Sequence, residues 1–117
     1  MTNQFYICDL RPEWSKKPCV TFWRPNNAGY AFPLPWSGKY TLDEIMAQPS
    51  YYWERPYGMP RAPFIRFPIA CAEVDKLGAE PTPGIVDGDA GPIVWKTRHI
   101  VRQLRAKMLQ LPSKVAA

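Results

Sequence analysis

The sequence predicts an α+β fold: a small antiparallel sheet with a β-hairpin near 19–34, one short helix near 42–47 and a basic amphipathic helix near 97–111. Three observations predict it. Runs of β-branched and aromatic residues, separated by Pro, Asn and Gly, fill the first third of the chain. A capping box opens at Thr41. Apolar residues at sustained helical spacing occur near the C-terminal end. With 117 residues, 46% of them apolar, one domain spanning 1–117 is expected, with residues 112–117 disordered.

Phe5 to Leu10 (FYICDL) is β-prone and stops before Arg11-Pro12, because the residue before proline is held extended and the proline lacks an N–H. Cys19 to Arg24 (CVTFWR) reads as the second strand. Pro25-Asn26-Asn27-Ala28-Gly29 then offers a fixed φ and three residues tolerant of positive φ, so Tyr30 to Leu34 returns as the partner of a hairpin. Pro33 and Pro35 cannot donate to a ladder, which confines this strand to an edge or ends it early. Thr41-Leu42-Asp43-Glu44 is the capping box, followed by a helix over Leu42 to Ala47 that Pro49 ends. Residues 50–63 (SYYWERPYGMPRAP) suit an irregular ordered loop. Phe64 to Ala70 is a strand with an awkward Pro68, Cys71, Val74 and Leu77 form one apolar stripe, and Gly78 is the stop. In the final helix, Thr97 to Leu111, Ile100, Val101, Leu104, Met108 and Leu111 share one face, while Arg98, Arg102 and Arg105 line one edge of it and Lys96 and Lys107 the other.

Charge and rings are segregated. Residues 96–117 carry six bases and no acid, whereas residues 1–95 carry nine bases and ten acids, so the net charge of +5 comes from the last fifth of the chain. Of the five Trp, six Tyr and five Phe, only Trp95 lies beyond Phe67. Apolar runs are too short for a membrane span or a signal-peptide core, and a cytoplasmic location is expected. Cys8, Cys19 and Cys71, with no C-x-x-C and a single histidine, fit neither a disulfide framework nor a zinc site; they are expected as reduced, buried thiols.

No catalytic residues are expected. Asp87-Gly88-Asp89-Ala90-Gly91 begins like a calcium loop, but the fifth and twelfth positions are Gly91 and Arg98 instead of oxygen ligands. A tight acidic turn is the plainer reading, and whether Asp87 and Asp89 share an ion stays open. His99 is the only histidine and has no nucleophile to serve. Glycine-rich phosphate loops are absent from the sequence, and a helix-turn-helix fails for want of a second long helix. No cofactor and no metal are expected.

The distinctive passage alternates rings and cations: Trp23, Arg24, Tyr30, Trp36, Lys39 and Tyr40, with Trp53 further on. These rings could be the core of a small β-rich domain, an anchor surface for a protein, since Trp, Tyr and Arg dominate such surfaces, or a stacking platform for bases. The arginine row at 98, 102 and 105 is a solvated helix face or a contact for phosphates or for an acidic protein.

The string TFWRPNNAGYAFPLPWSGKYT, with FYICDLRP before it and DGDAGPIV after it, resembles a group of small uncharacterised proteins of tailed bacteriophages and prophages. That resemblance implies a bacterial host cytoplasm and an accessory, anti-defence or takeover role exercised by stoichiometric binding. The expected function is a phage-encoded, non-enzymatic, anti-CRISPR-like inhibitor that binds a host protein or nucleoprotein. The alternative is a nucleic-acid or nucleotide binder using the rings and the basic helix. No membrane partner is expected, and the oligomeric state is left open.

Overall fold

The computed structural model describes residues 3–11, 18–81 and 91–111. It is an α+β fold built on a five-stranded antiparallel sheet. The central strand is β1 (Gln4–Asp9), and it pairs along its length with β5 (Arg66–Ala70), from Phe5↔Ala70 to Asp9↔Arg66. A strand has two edges, so the other edge of β1 is shared end to end. Its C-terminal half takes β2 (Thr21–Trp23) and its N-terminal half takes β4 (Tyr40–Thr41). The hairpin partner β3 (Tyr30–Ala31) lies outside β2.

The hairpin expected near 19–34 is present with shorter strands. Cys19 makes an isolated bridge to Trp95 rather than joining β2, and β3 ends after two residues, ahead of Pro33. Asn26, Asn27 and Gly29 turn the chain with φ of 59°, 58° and 112°, the region that asparagine and glycine tolerate. Pro68 fits its strand because the carbonyls of Arg66 and Pro68 both point away from β1, to the N–H groups of Glu54 and Leu109. The missing proline N–H would also have pointed outward, so the β1 ladder loses nothing.

Alternation along the strands sorts the side chains onto two faces. One face carries Phe5, Ile7, Asp9, Trp23, Tyr30, Tyr40 and Arg66, and is covered by α1 (Leu42–Ala47) and α2 (Pro49–Tyr52) through Tyr51 and Tyr52. Thr41 caps α1 as expected: its hydroxyl accepts from the Glu44 N–H and the Glu44 carboxylate accepts from the Thr41 N–H. Part of the loop expected over 50–63 is instead helical, since Pro49 starts α2, a position where a proline costs no hydrogen bond. The opposite face carries Tyr6, Cys8, Phe22, Phe67 and Ile69 and packs with Val74 of α3 (Cys71–Asp75) and Leu104 of α4 (Arg98–Lys107) in one core.

The last helix begins as expected, with the Thr97 hydroxyl accepting from the Ile100 N–H, but it stops at Lys107 rather than 111. Met108 bridges to Ile69, the Leu109 N–H donates to the Pro68 carbonyl and the Leu109 carbonyl accepts from Trp53 Nε1. The chain therefore leaves the helix to cover the outer edge of β5. The expectation for residues 112–117 and the acidic turn at Asp87 and Asp89 lie outside the described residues.

Candidate functional site

Face alternation places an ionic cluster where an apolar core would be expected. Asp9 has no exposed side-chain surface. Its carboxylate accepts from Nε and Nη2 of Arg11 at 3.0 and 2.8 Å, from the Arg11 N–H, and from Trp23 Nε1 at 3.2 Å. Arg66, opposite it on β5, brings Nη1 to 4.0 Å, pairs through Nη2 with Glu54 at 3.1 Å, and lies over the rings of Trp23 and Tyr51 at 5.1 and 6.0 Å from their centroids. Its Nε–H is buried without an acceptor among the described residues. Burial alone would lower the Arg11 pKa, but the bonds to Asp9 and Tyr30 hold it above its ordinary value.

For three of the rings expected on a contact surface, the structure gives a correction. Trp23, Tyr40 and Trp53 are 4%, 2% and 4% exposed and are core residues. Each polar tip finds an internal partner, which removes the reason for it to seek the surface. Trp23 serves Asp9; the Tyr40 hydroxyl donates to the Arg24 carbonyl and accepts from the Asn27 N–H; Trp53 holds Leu109. Burial pushes the Tyr40 phenol up. The remaining members of the set stay near the surface. Arg24 donates from Nε to the Tyr30 carbonyl and covers the half-buried Trp36 at 5.1 Å. Tyr30 is half-buried and Lys39 is exposed.

Members of the set line two openings. Trp23, Asn27, Gly29, Tyr30 and Tyr51 line a notch of about 130 Å³, and Trp23 meets Tyr30 and Tyr51 edge-on. Tyr6, Lys39 and Asp75 line a second hollow of about 380 Å³, in which the Tyr6 hydroxyl donates to Asp75 at 2.8 Å. Burial and then Asp75 push the Tyr6 phenol up, and burial pushes the nearby Cys71 thiol up to about 11. All three cysteines are buried and free, as expected. Cys8 is also pushed up by burial, so Cys8 and Cys71 stay protonated at neutral pH.

The expected arginine row is brought together, and Lys96, expected along the other edge, joins it because it precedes the helix cap at Thr97. Lys96, Thr97, Arg98, Val101, Arg102 and Arg105 line an open groove of about 410 Å³ along α4. Arg98 and Arg102 are exposed, while Arg105 is half-buried and donates from Nε to the Phe64 carbonyl. None of the four cations pairs with a carboxylate among the described residues. His99 is exposed beside them.

Among the described residues no three His, Cys, Asp or Glu side chains converge as a metal site, and no helix is long and apolar enough to cross a membrane. Asp9 and Arg66 were not anticipated as a pair. The available signal was a carboxylate inside FYICDL, since a charge in an otherwise apolar strand calls for a buried partner. No family profile, curated protein or solved structure matches the chain.

Proposed function

We propose that this protein acts by stoichiometric binding rather than turnover, and that its contact surface is the α4 groove, which takes the phosphate backbone of a nucleic acid, free or within a host nucleoprotein. One observation carries the reading: four cations line a single groove and none pairs with a carboxylate among the described residues. Arg98, Arg102 and Arg105 stand four and three residues apart, so they succeed one another by about 6 and 4.5 Å along the axis. A row of that kind follows a polyanion without reading its sequence. The resemblance to tailed-phage accessory proteins suits such a role, with anti-defence inhibition in the host cell as the setting.

The test is fluorescence anisotropy with mixed-sequence DNA and RNA at two salt concentrations. Three phosphate contacts should weaken binding about 40-fold between 50 and 200 mM salt, from a slope of roughly 0.9 per contact on duplex DNA. Arg102→Glu should abolish binding at low salt. Wild-type protein that binds no nucleic acid at low salt refutes the reading.

The hairpin notch favours a second reading, an inhibitor that captures a host protein. Its volume of about 130 Å³ is below that of a small-molecule pocket, commonly about 300 Å³ or more, and suits one inserted side chain. Under that reading Tyr51→Ala disrupts the complex while added salt has little effect.

A further inference from the structure

The segment joining α2 to β5 carries the most exposed aromatic ring among the described residues. Tyr57 is 103% exposed and Met59 55%, and a Cβ added at Gly58 would meet nothing within 4 Å. This tip therefore stands clear of the protein, yet it is firmly built. The Met59 N–H donates to the Pro56 carbonyl across Tyr57 and Gly58, whose φ of 72° marks a type II turn. The Ala62 N–H closes a second turn onto Met59. Arg55 ties the base, donating from Nη1 to the Ala62 carbonyl and packing its guanidinium 3.9 Å above the Phe64 ring. Pro56, Pro60 and Pro63 restrict the backbone further.

Such ordering of a segment brings no packing return for Tyr57 inside the chain. It lowers the entropy cost of presenting that ring to something else. The base of the segment also joins the groove described above, because Arg105 of α4 donates to the carbonyl of the same Phe64 that Arg55 covers. Residues 55–65 and 96–111 together carry seven bases and no acid, so positive charge runs from α4 to the tip.

We infer that residues 56–59 form a stacking finger for single-stranded nucleic acid, with Tyr57 receiving an unpaired base while Arg55, Arg61 and the α4 arginines hold the backbone. This rests on the reading of the α4 groove as a phosphate site. The ring stands free on its turn, and an unpaired base offers it a free face; in a duplex both faces of each base are already stacked. An acidic protein surface would satisfy the cations but gives the ring no base to stack on.

The experiment uses the full chain and a mixed-sequence single strand containing 2-aminopurine, beside its duplex and polyglutamate. Tyr57→Ala should weaken single-strand binding by about tenfold and remove the quenching of 2-aminopurine, with the salt slope unchanged, and Tyr57→Phe should behave as wild type. Duplex affinity should change far less. Because Tyr57 makes no internal packing contact, the Tyr57→Ala variant should melt as wild type does. If Tyr57→Ala binds the single strand as wild type does while Arg102→Glu does not, the finger is refuted and the groove reading stands. If wild type binds neither strand at low salt, both fall. Polyglutamate binding as tight as that of the single strand refutes the finger in favour of an acidic protein partner.

Discussion

Replacing Asp9 by Asn removes one negative charge from the centre of the sheet and leaves the rest in place. The side chain has no exposed surface, receives two Arg11 nitrogens at 3.0 and 2.8 Å and Trp23 Nε1 at 3.2 Å, and faces Arg66 at 4.0 Å. A unit charge pair at that last distance interacts by about 4 kcal/mol at an effective dielectric of 20. The asparagine amide can still accept with its oxygen, but its NH₂ group is turned toward donors, and Arg66 keeps only Glu54 and the two rings. The expected loss is about 3–5 kcal/mol, the usual cost of removing one partner from a buried ionic cluster. A chain of this length commonly has roughly 6–18 kcal/mol in hand, so Asp9→Asn should remain folded in water while its urea midpoint falls by about 2 M. Tryptophan fluorescence reports this directly, because Trp23 touches Asp9. The double variant Asp9→Leu/Arg66→Met should cost less than the two single changes summed, since the Asp9–Arg66 attraction is lost once rather than twice, while Arg11 and Glu54 lose their partners in either case. A loss below about 1 kcal/mol for Asp9→Asn, or strict additivity in the double variant, refutes the reasoning.

Stability should fall as pH rises through the alkaline range. Tyr6, Tyr40, Cys8 and Cys71 hold their protons more tightly when folded than their ordinary values of 10.0 for Tyr and 9.0 for Cys. Above those values the unfolded chain releases protons that the folded chain retains, so the stability present below pH 9 declines past it and declines faster past pH 10; urea midpoints across that window check this. Gly38→Ala should lower stability by about 1–3 kcal/mol, because the added Cβ would lie 2.7 Å from the Pro25 nitrogen and 2.8 Å from its Cα, backbone atoms that cannot swing aside; a thermal melt measures it. Trp53→Phe should cost about 1 kcal/mol by removing the donor to the Leu109 carbonyl, and trypsin cleavage after Lys107 should quicken as residues 108–111 loosen.

Local signals in the sequence carried much of the fold. The Thr41 capping box, the Asn26-Asn27-Ala28-Gly29 turn of the hairpin and the prolines that follow β3 act over a few residues, and each is realised. The rest of the fold depends on distant partners. Strand β4 is two residues that become a strand only because the N-terminal half of β1 is unoccupied on that edge. The apolar periodicity of α4 continues to Leu111, but Trp53 and Pro68, about 40 to 56 positions away, capture Leu109 and end the helix. The rings of the candidate surface posed the same difficulty. Composition leaves core and contact surface equally open for Trp23, Tyr40 and Trp53, and what decides between them is whether an internal acceptor awaits each polar tip. By contrast, the arginine row on α4 was legible because helical spacing alone brings Arg98, Arg102 and Arg105 to one side.

The two ends of the sheet limit how another molecule can approach. At one end β3 is two residues long and soon reaches Pro33. At the other, the outward carbonyls of Arg66 and Pro68 are taken by Glu54 and Leu109. At these two edges an extended peptide therefore has little vacant main chain to zip onto, and strand addition there is a poor route both for a ligand and for self-association into fibrils. A partner that approaches along either of these edges must do so side chain by side chain.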